Sequence, residues 1–254
     1  MSVKVEHAGS VVWVLLSRAE KANALDRETV DSLLLALAAA ERDEGARVLI
    51  LMGEGKNFCA GADLAELIDG GSAGVRALLD PLRQFMLRLE RSRLITIAAV
   101  HGAARAGGLE IALACDVIVA AQSGSFGDAH LANGLIPGGG STARLPRAVG
   151  WQRAKWLILS GQAIDAATAR EWGLVLEVVE DADLKSTAQR IGEGLSRAHP
   201  QAFRRAKGLL AMVDEQPLSA SLEAEITALE AHYHSSAFQS GIQYFLNKRR
   251  SSLA

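Results

Sequence analysis

Apolar and polar positions alternate at residues 3–7, and a largely apolar run follows at 11–17. Gly9 and Ser10 lie between the two runs, and the pattern predicts two strands joined as a hairpin. A polar stretch follows at 18–25. Asp26 is placed to cap a helix running to about residue 44, in which Val30, Leu33, Leu34 and Leu37 form one apolar stripe. Residues 47–52 are continuously apolar, the pattern of a strand buried on both faces. Gly53-Glu54-Gly55-Lys56 is a turn, and a long helix interrupted near Gly70, Gly71 and Gly74 then reaches about residue 92. Further strands are predicted at 96–100, 116–121, 125–127 and 175–179, with helices at 109–115, 144–149, 151–160 and 165–172. From residue 184 onward the pattern is helical, broken at His199-Pro200 and Gln216-Pro217. Strand, turn, helix and strand recur in that order, which argues an α/β architecture. We divide the chain into a core at 1–190 and a helical C-terminal region at 191–254.

Composition narrows the function. The formal net charge of −2 over 254 residues exerts no global pull on nucleic acid or an anionic membrane, so neither DNA nor a membrane is an expected partner. The apolar runs fall well short of the roughly 20 residues of a membrane helix. Cys59 and Cys115 make no disulfide framework, and each is expected to serve as a small buried hydrophobe in a reducing compartment. Residues 1–6 alternate rather than forming a signal-peptide core, and the cytoplasm is the expected location.

Candidate chemistry is concentrated in two glycine-bearing stretches. One is Phe58-Cys59-Ala60-Gly61-Ala62-Asp63-Leu64. The other is His101-Gly102-Ala103-Ala104-Arg105-Ala106-Gly107-Gly108-Leu109-Glu110. Glycine lets a substrate approach the main chain closely. A pair of preorganised N–H donors then stabilises a developing oxyanion, each contributing about 3–4 kcal/mol of barrier lowering. The competing structural interpretation is that Gly107 and Gly108 merely let a helix pack tightly on a strand. Neither a P-loop, H-E-x-x-H nor G-x-S-x-G occurs. His232-Tyr233-His234 has no accompanying ligand set, so no metal site is expected.

The two stretches, followed by Phe126-Gly127 and by Gly134-Leu135-Ile136-Pro137-Gly138-Gly139-Gly140, resemble the enoyl-CoA hydratase/isomerase (crotonase) superfamily. Asn23-Ala24-Leu25, Arg144-Leu145-Pro146-Arg147, Trp172-Gly173-Leu174-Val175 and the ending from Gly241 to Arg250 extend the likeness over nearly the whole chain. The resemblance implies a spiral of ββα units with a helical C-terminal region supporting homotrimers or dimers of trimers. It also implies an acyl-CoA thioester substrate, with coenzyme A as part of the substrate and no prosthetic group. By matching position, the N–H groups of Ala62 and Gly107 would form the oxyanion hole. Ala22, Asn23 and Leu25 would line the pantetheine and nucleotide, and Ala60, Ala62, Asp63 and Leu64 would lie near the adenine. Lys248 or the neighbouring arginines would meet phosphates, with an ordinary solvated basic tail as the alternative.

Glu110 matches one of the two catalytic glutamates of the family's hydratases, where a carboxylate suits general acid–base work. His130 occupies the position of the second. An imidazole there either exchanges protons near neutral pH or simply lines the pocket, and both alternatives stay open. Asp128 is placed either to orient that histidine or to cap a short helix. Arg105 stands where the family mostly carries an apolar residue. An ion pair within the fold is expected for it, with an acidic substrate group or a subunit neighbour as alternatives. The reaction expected is water addition to a 2-enoyl-CoA. Isomerase, thioesterase or decarboxylase chemistry is the alternative raised by His130, and a weakly catalytic CoA- or RNA-binding scaffold is the alternative of another class.

Overall fold

The computed structural model describes residues 2–213 and 215–251, with side chains as far as Asn247. β1 (Val3–Ala8) and β2 (Val11–Leu16) form the predicted antiparallel hairpin. α1 (Arg27–Arg42) starts at Asp26, whose carboxylate accepts the Thr29 N–H at 2.8 Å. Of its predicted stripe, Val30, Leu33 and Leu37 are fully buried, each side chain contributing about 2 kcal/mol as an upper estimate, and Leu34 is half-buried. β3 (Val48–Gly53) follows, then α2 (Leu64–Asp69) and α3 (Gly71–Arg91). The predicted interruption falls at Gly70–Gly71 alone, where Gly71 has φ +56°, and α3 continues through Gly74.

β4 (Ile95–Val100), β5 (Ala103–Arg105), α4 (Gly107–Leu113), β6 (Val117–Ala121) and β7 (Ser125–Gly127) come next. They are followed by α5 (Ser141–Val149), α6 (Trp151–Ser160), β8 (Ala163–Asp165), α7 (Ala166–Glu171), β9 (Glu177–Val179) and α8 (Leu184–Leu195). The larger sheet has the order β1-β2-β3-β4-β6-β9, parallel beyond the first hairpin. α1, α3 and α4 pack toward one face of it. α8 covers the other, where a Cβ on Gly192 would lie 2.9 Å from Val48. There Trp13 donates its indole N–H to Gln189 at 2.9 Å, and the Lys185 ammonium lies 5.1 Å from the ring. Burial on both faces explains why β2, β3 and β4 are apolar without alternation.

β5, β7 and β8 make a smaller sheet, order β5-β7-β8. β5 and β8 are three residues each and fall outside the predicted strands. The chain separates into two compact units, Met1–Leu195 and Ser196–Ala254. Within the second, α9 (Pro200–Met212), α10 (Leu218–Tyr233) and α11 (Ser236–Ser251) follow one another. The break before α11 carries neither proline nor glycine. It is made by Ser235, whose hydroxyl accepts the Phe238 N–H at 3.1 Å. Among the described residues no helix is long and apolar enough to cross a membrane.

Candidate active site

The first glycine stretch is held on both flanks by main-chain hydrogen bonds. On one side the Ala60 N–H donates to Ala22, Leu25 N–H to Gly61 and Asp63 N–H to Leu25, at 2.8–3.0 Å. On the other, Phe58 N–H donates to His101, Cys59 N–H to Ala103 and Arg105 N–H to Cys59, at 2.9–3.0 Å. The second ladder ends where residues 105–107 turn from β5 into α4. In the parallel bridge between Leu25 and Ala62, the bonds to Leu25 use Gly61 and Asp63, so the Ala62 N–H faces away from it. Among the described residues the N–H groups of Ala62 and Gly107 have no acceptor. A Cβ built on Gly107 would lie 3.6 Å from the Ala62 nitrogen, so the two donors are neighbours.

The two glycines of the second stretch differ in function. A Cβ on Gly108 would fall 2.2 Å from the Cys59 carbonyl oxygen, so Gly108 serves close helix–strand packing. Gly107 meets milder contacts, at 3.3 Å and beyond. Ala106, between β5 and α4, has φ +46° and ψ −117°, a region that an L-residue enters only under strain. Gly61 has φ +102°, and a Cβ there would meet the Ala106 Cβ at 2.9 Å.

Glu110 is fully buried in the first turn of α4. Its Oε1 accepts the backbone N–H of Gly139 at 2.9 Å and of Ser141 at 3.0 Å. Oε2 has no partner among the described residues, and a Cβ on Gly139 would lie 2.3 Å from it. The glycine loop is thus the mount of the carboxylate. Arg144 clamps the same loop, donating to the Gly139 carbonyl at 2.8 Å and pairing with Glu90 of α3. Glycine density from 138 to 140 was the available signal. The residue motifs gave no indication that this loop's N–H groups would hold Glu110.

His130 follows β7, with its side chain 11% exposed. Its Nδ1 lies 3.0 Å from Oδ1 of the fully buried Asp128. Burial alone lowers the imidazole pKa. The hydrogen bond and charge of Asp128, with the charge of Glu110, outweigh it and raise the value above the ordinary one. Glu110 and His130 therefore share one electrostatic environment.

The other candidate residues divide. Asn23 is buried at φ +57°, and its amide ties Arg18 N–H, Glu54 and Asn57 together, so the side chain is structural. Leu25 is fully buried, behind Gly107. Ala60 and Leu64 are exposed. Asp63 caps α2 and pairs with Arg18 at 3.1 Å. Burial raises its pKa, but the Arg18 hydrogen bond, the Lys21 and Arg18 charges and the Ala65 N–H together hold it below the usual carboxylate value. A cleft of about 610 Å³ opens beside it, lined by Lys21, Asp26, Asp63, Glu66 and Asp69 among others. The Lys248 side chain lies outside the described residues. The ion pair expected for Arg105 does not form among the described residues. Its guanidinium donates to the Ser125 carbonyl at 2.6 Å and hydroxyl at 2.8 Å, because β7 presents these groups directly beside it. Cys59 is buried, its thiol pushed up to about 12 by desolvation, which leaves it unreactive at neutral pH.

Against known proteins, a family model described as enoyl-CoA hydratase/isomerase matches residues 6–253. A putative enoyl-CoA hydratase/isomerase of Bacillus subtilis is 35% identical over 250 residues, 98% of this chain and 95% of the relative. A short-chain-enoyl-CoA hydratase of Clostridium acetobutylicum is 32% identical, covering 98% of this chain and 96% of the relative. The crystal structure of an enoyl-CoA hydratase from Bacillus anthracis superposes with a TM-score of 0.93 at 36% identity, covering 98% of this chain and 97% of that one.

Proposed function

Because the chain belongs to the enoyl-CoA hydratase/isomerase family, we propose that it is a hydratase-like lyase adding water across the double bond of a 2-enoyl-CoA. The observation that carries this reading is the pairing of two open N–H donors, on Ala62 and Gly107, with a buried carboxylate whose Oε2 is left unengaged. The thioester oxygen takes the two N–H bonds. Glu110 Oε2 accepts a proton from water as its oxygen bonds to Cβ. The alkene electron pair moves toward C1, and charge gathers on the thioester oxygen as an enolate. His130 then donates a proton from its ring to Cα, and proton exchange with solvent resets both groups. The raised pKa of His130 favours the charged, donating form near neutral pH. The cleft beside Asp63 carries Asp26, Glu66 and Asp69 against Lys21. That charge repels phosphates and suits the exocyclic amine of an adenine.

The test is loss of enoyl-thioester absorbance with crotonyl-CoA and longer 2-enoyl-CoAs, followed in wild type and Glu110→Gln. The substitution is expected to lower kcat by about 10²–10⁴-fold. Water addition to none of the substrates, or an unaffected variant, would overturn the reading. Histidine in place of the second glutamate favours one alternative, an isomerase in which Glu110 alone shuttles a proton. Deuterium entering Cα from solvent without hydration would distinguish it. We also read the helical C-terminal unit as an assembly surface for a homotrimer or a dimer of trimers. Leu210, Leu218, Leu229, Tyr244 and Phe245 are all more than half exposed there.

A further inference from the structure

The turn that carries His130 contains a second group for which the hydratase reading has no use. Asp128 is fully buried directly after β7. Its Oδ1 faces both the His130 ring, with Nδ1 at 3.0 Å, and the His130 backbone N–H at 3.4 Å. Its Oδ2 is buried and has no partner among the described residues. Ala129 between them adopts φ +58°, unusual for a residue with a Cβ, and this left-handed step folds residue 130 back over the carboxylate. The far side of the turn is tied down as well. Asn133 donates its amide to the Ala129 carbonyl at 2.8 Å, and the N–H groups of Asn133 and Leu135 both donate to His130 at 2.9 Å. A strained backbone, a desolvated carboxylate and a half-satisfied oxygen are three separate costs at one turn. A residue that only shaped the turn would require none of the buried charge, since a neutral amide offers the same acceptor.

We propose that Asp128 is a positioning residue: it holds the proton on Nδ1 of His130 and so leaves Nε2 as the ring atom that delivers the proton to the substrate α-carbon. The inference rests on the hydratase reading for the identity of the substrate, but the Asp128–His130 geometry is independent of it. A carboxylate on Nδ1 fixes both the tautomer and the ring orientation, and it favours the imidazolium that must exist before the proton leaves. The charged groups acting on the ring are Asp128, from its own turn, and Glu110, from α4. During hydration Glu110 becomes neutral as it accepts the water proton, so at the moment of donation Asp128 is the carboxylate that remains charged beside the ring.

The experiment uses the full-length enzyme with Asp128→Asn, which keeps an oxygen acceptor for Nδ1 and removes only the charge. His130 is followed by NMR of ¹³C,¹⁵N-labelled histidine, assigned with His130→Gln, and kcat is measured against pH with crotonyl-CoA. The expected result is a wild-type ring protonated on Nδ1 in its neutral form. In Asp128→Asn its titration midpoint should fall by about one pH unit, and the alkaline limb of kcat should move down with it while KM stays within about twofold. An unchanged midpoint, a neutral ring protonated on Nε2 in wild type, or a midpoint that moves without the kcat limb would overturn the proposal. If Asp128→Asn does not fold, the wild-type tautomer alone decides. A wild type inert toward every 2-enoyl-CoA would defeat the hydratase reading instead, and the NMR titration would still decide whether Asp128 sets the state of the ring.

Discussion

Replacing Gly139 by alanine tests whether the glycine loop aims the buried carboxylate. Gly139 does not have positive φ, so the substitution adds a methyl group without backbone strain. That methyl carbon would stand 2.3 Å from Glu110 Oε2, 2.8 Å from Cδ and 3.1 Å from the Met86 methyl. Ordinary contact begins near 3.4 Å, so the carboxylate or the loop must retreat by about an ångström. Either movement lengthens the hydrogen bonds from Gly139 and Ser141 to Oε1. Overpacking costs about 1–3 kcal/mol, and a weakened hydrogen bond to a charged group adds about 1.5 kcal/mol or more. A net loss of about 3 kcal/mol lowers Tm by roughly 6–12 °C in a chain of this size. Misplacing a reacting group by an ångström costs about 10²-fold in rate. We therefore expect Gly139→Ala to lose about 10²-fold in kcat on crotonyl-CoA. The control is Gly9→Ala in the β1–β2 turn, which is strained at φ +62° but has nothing within 4 Å of the added Cβ. It should lose about 1–2 kcal/mol of stability and no activity. A Gly139→Ala enzyme within twofold of wild-type kcat and unchanged in Tm would refute the argument.

Two further substitutions examine the same neighbourhood. Ala106→Gly should raise the denaturation midpoint in urea, because releasing about 1–3 kcal/mol of backbone strain exceeds the 0.5–1 kcal/mol or so by which glycine favours the unfolded chain; a lower midpoint would mean that φ +46° is not strained. Ser141→Ala should leave stability unchanged or raise it by up to about 1 kcal/mol, since the buried hydroxyl has no partner among the described residues and the N–H that holds Glu110 remains. A loss above 2 kcal/mol or so by calorimetry would show that the hydroxyl is hydrogen-bonded after all.

The elements that the pattern predicted are those with long apolar faces. α1 begins at Asp26 as expected, and β2, β3 and β4 lie within a residue or so of the apolar runs, because burial demands a continuous pattern that can be read locally. What escaped was defined by main chain rather than side chains. β5 and β8 are set by main-chain pairing to β7, which lies between them. The break at Ser235 rests on one hydroxyl. At the site, the glycine motifs marked the right neighbourhood, but they could not separate Gly107 from Gly108, whose functions depend on what lies across from each. The anchoring of Glu110 by residues 139 and 141 spans some thirty positions and left no local trace. Arg105 was misjudged for a related reason. A lone arginine in a sequence invites an acidic partner, whereas a strand edge offers a carbonyl and a hydroxyl already in reach.

The paired ladders around residues 58–63 bear on how such a chain can diverge. The ladders that set the Ala62 and Gly107 N–H groups side by side run main chain to main chain, with the side chains of Arg18, Asn23 and Asn57 bracing their flanks. Gly61 and Gly108 are constrained as well, because a Cβ at either would strike the neighbouring segment. Exposed positions such as Ala60 and Leu64 are therefore free to drift without moving the two N–H groups. Within residues 58–64, positions fixed by close main-chain contact and positions open to exchange stand side by side.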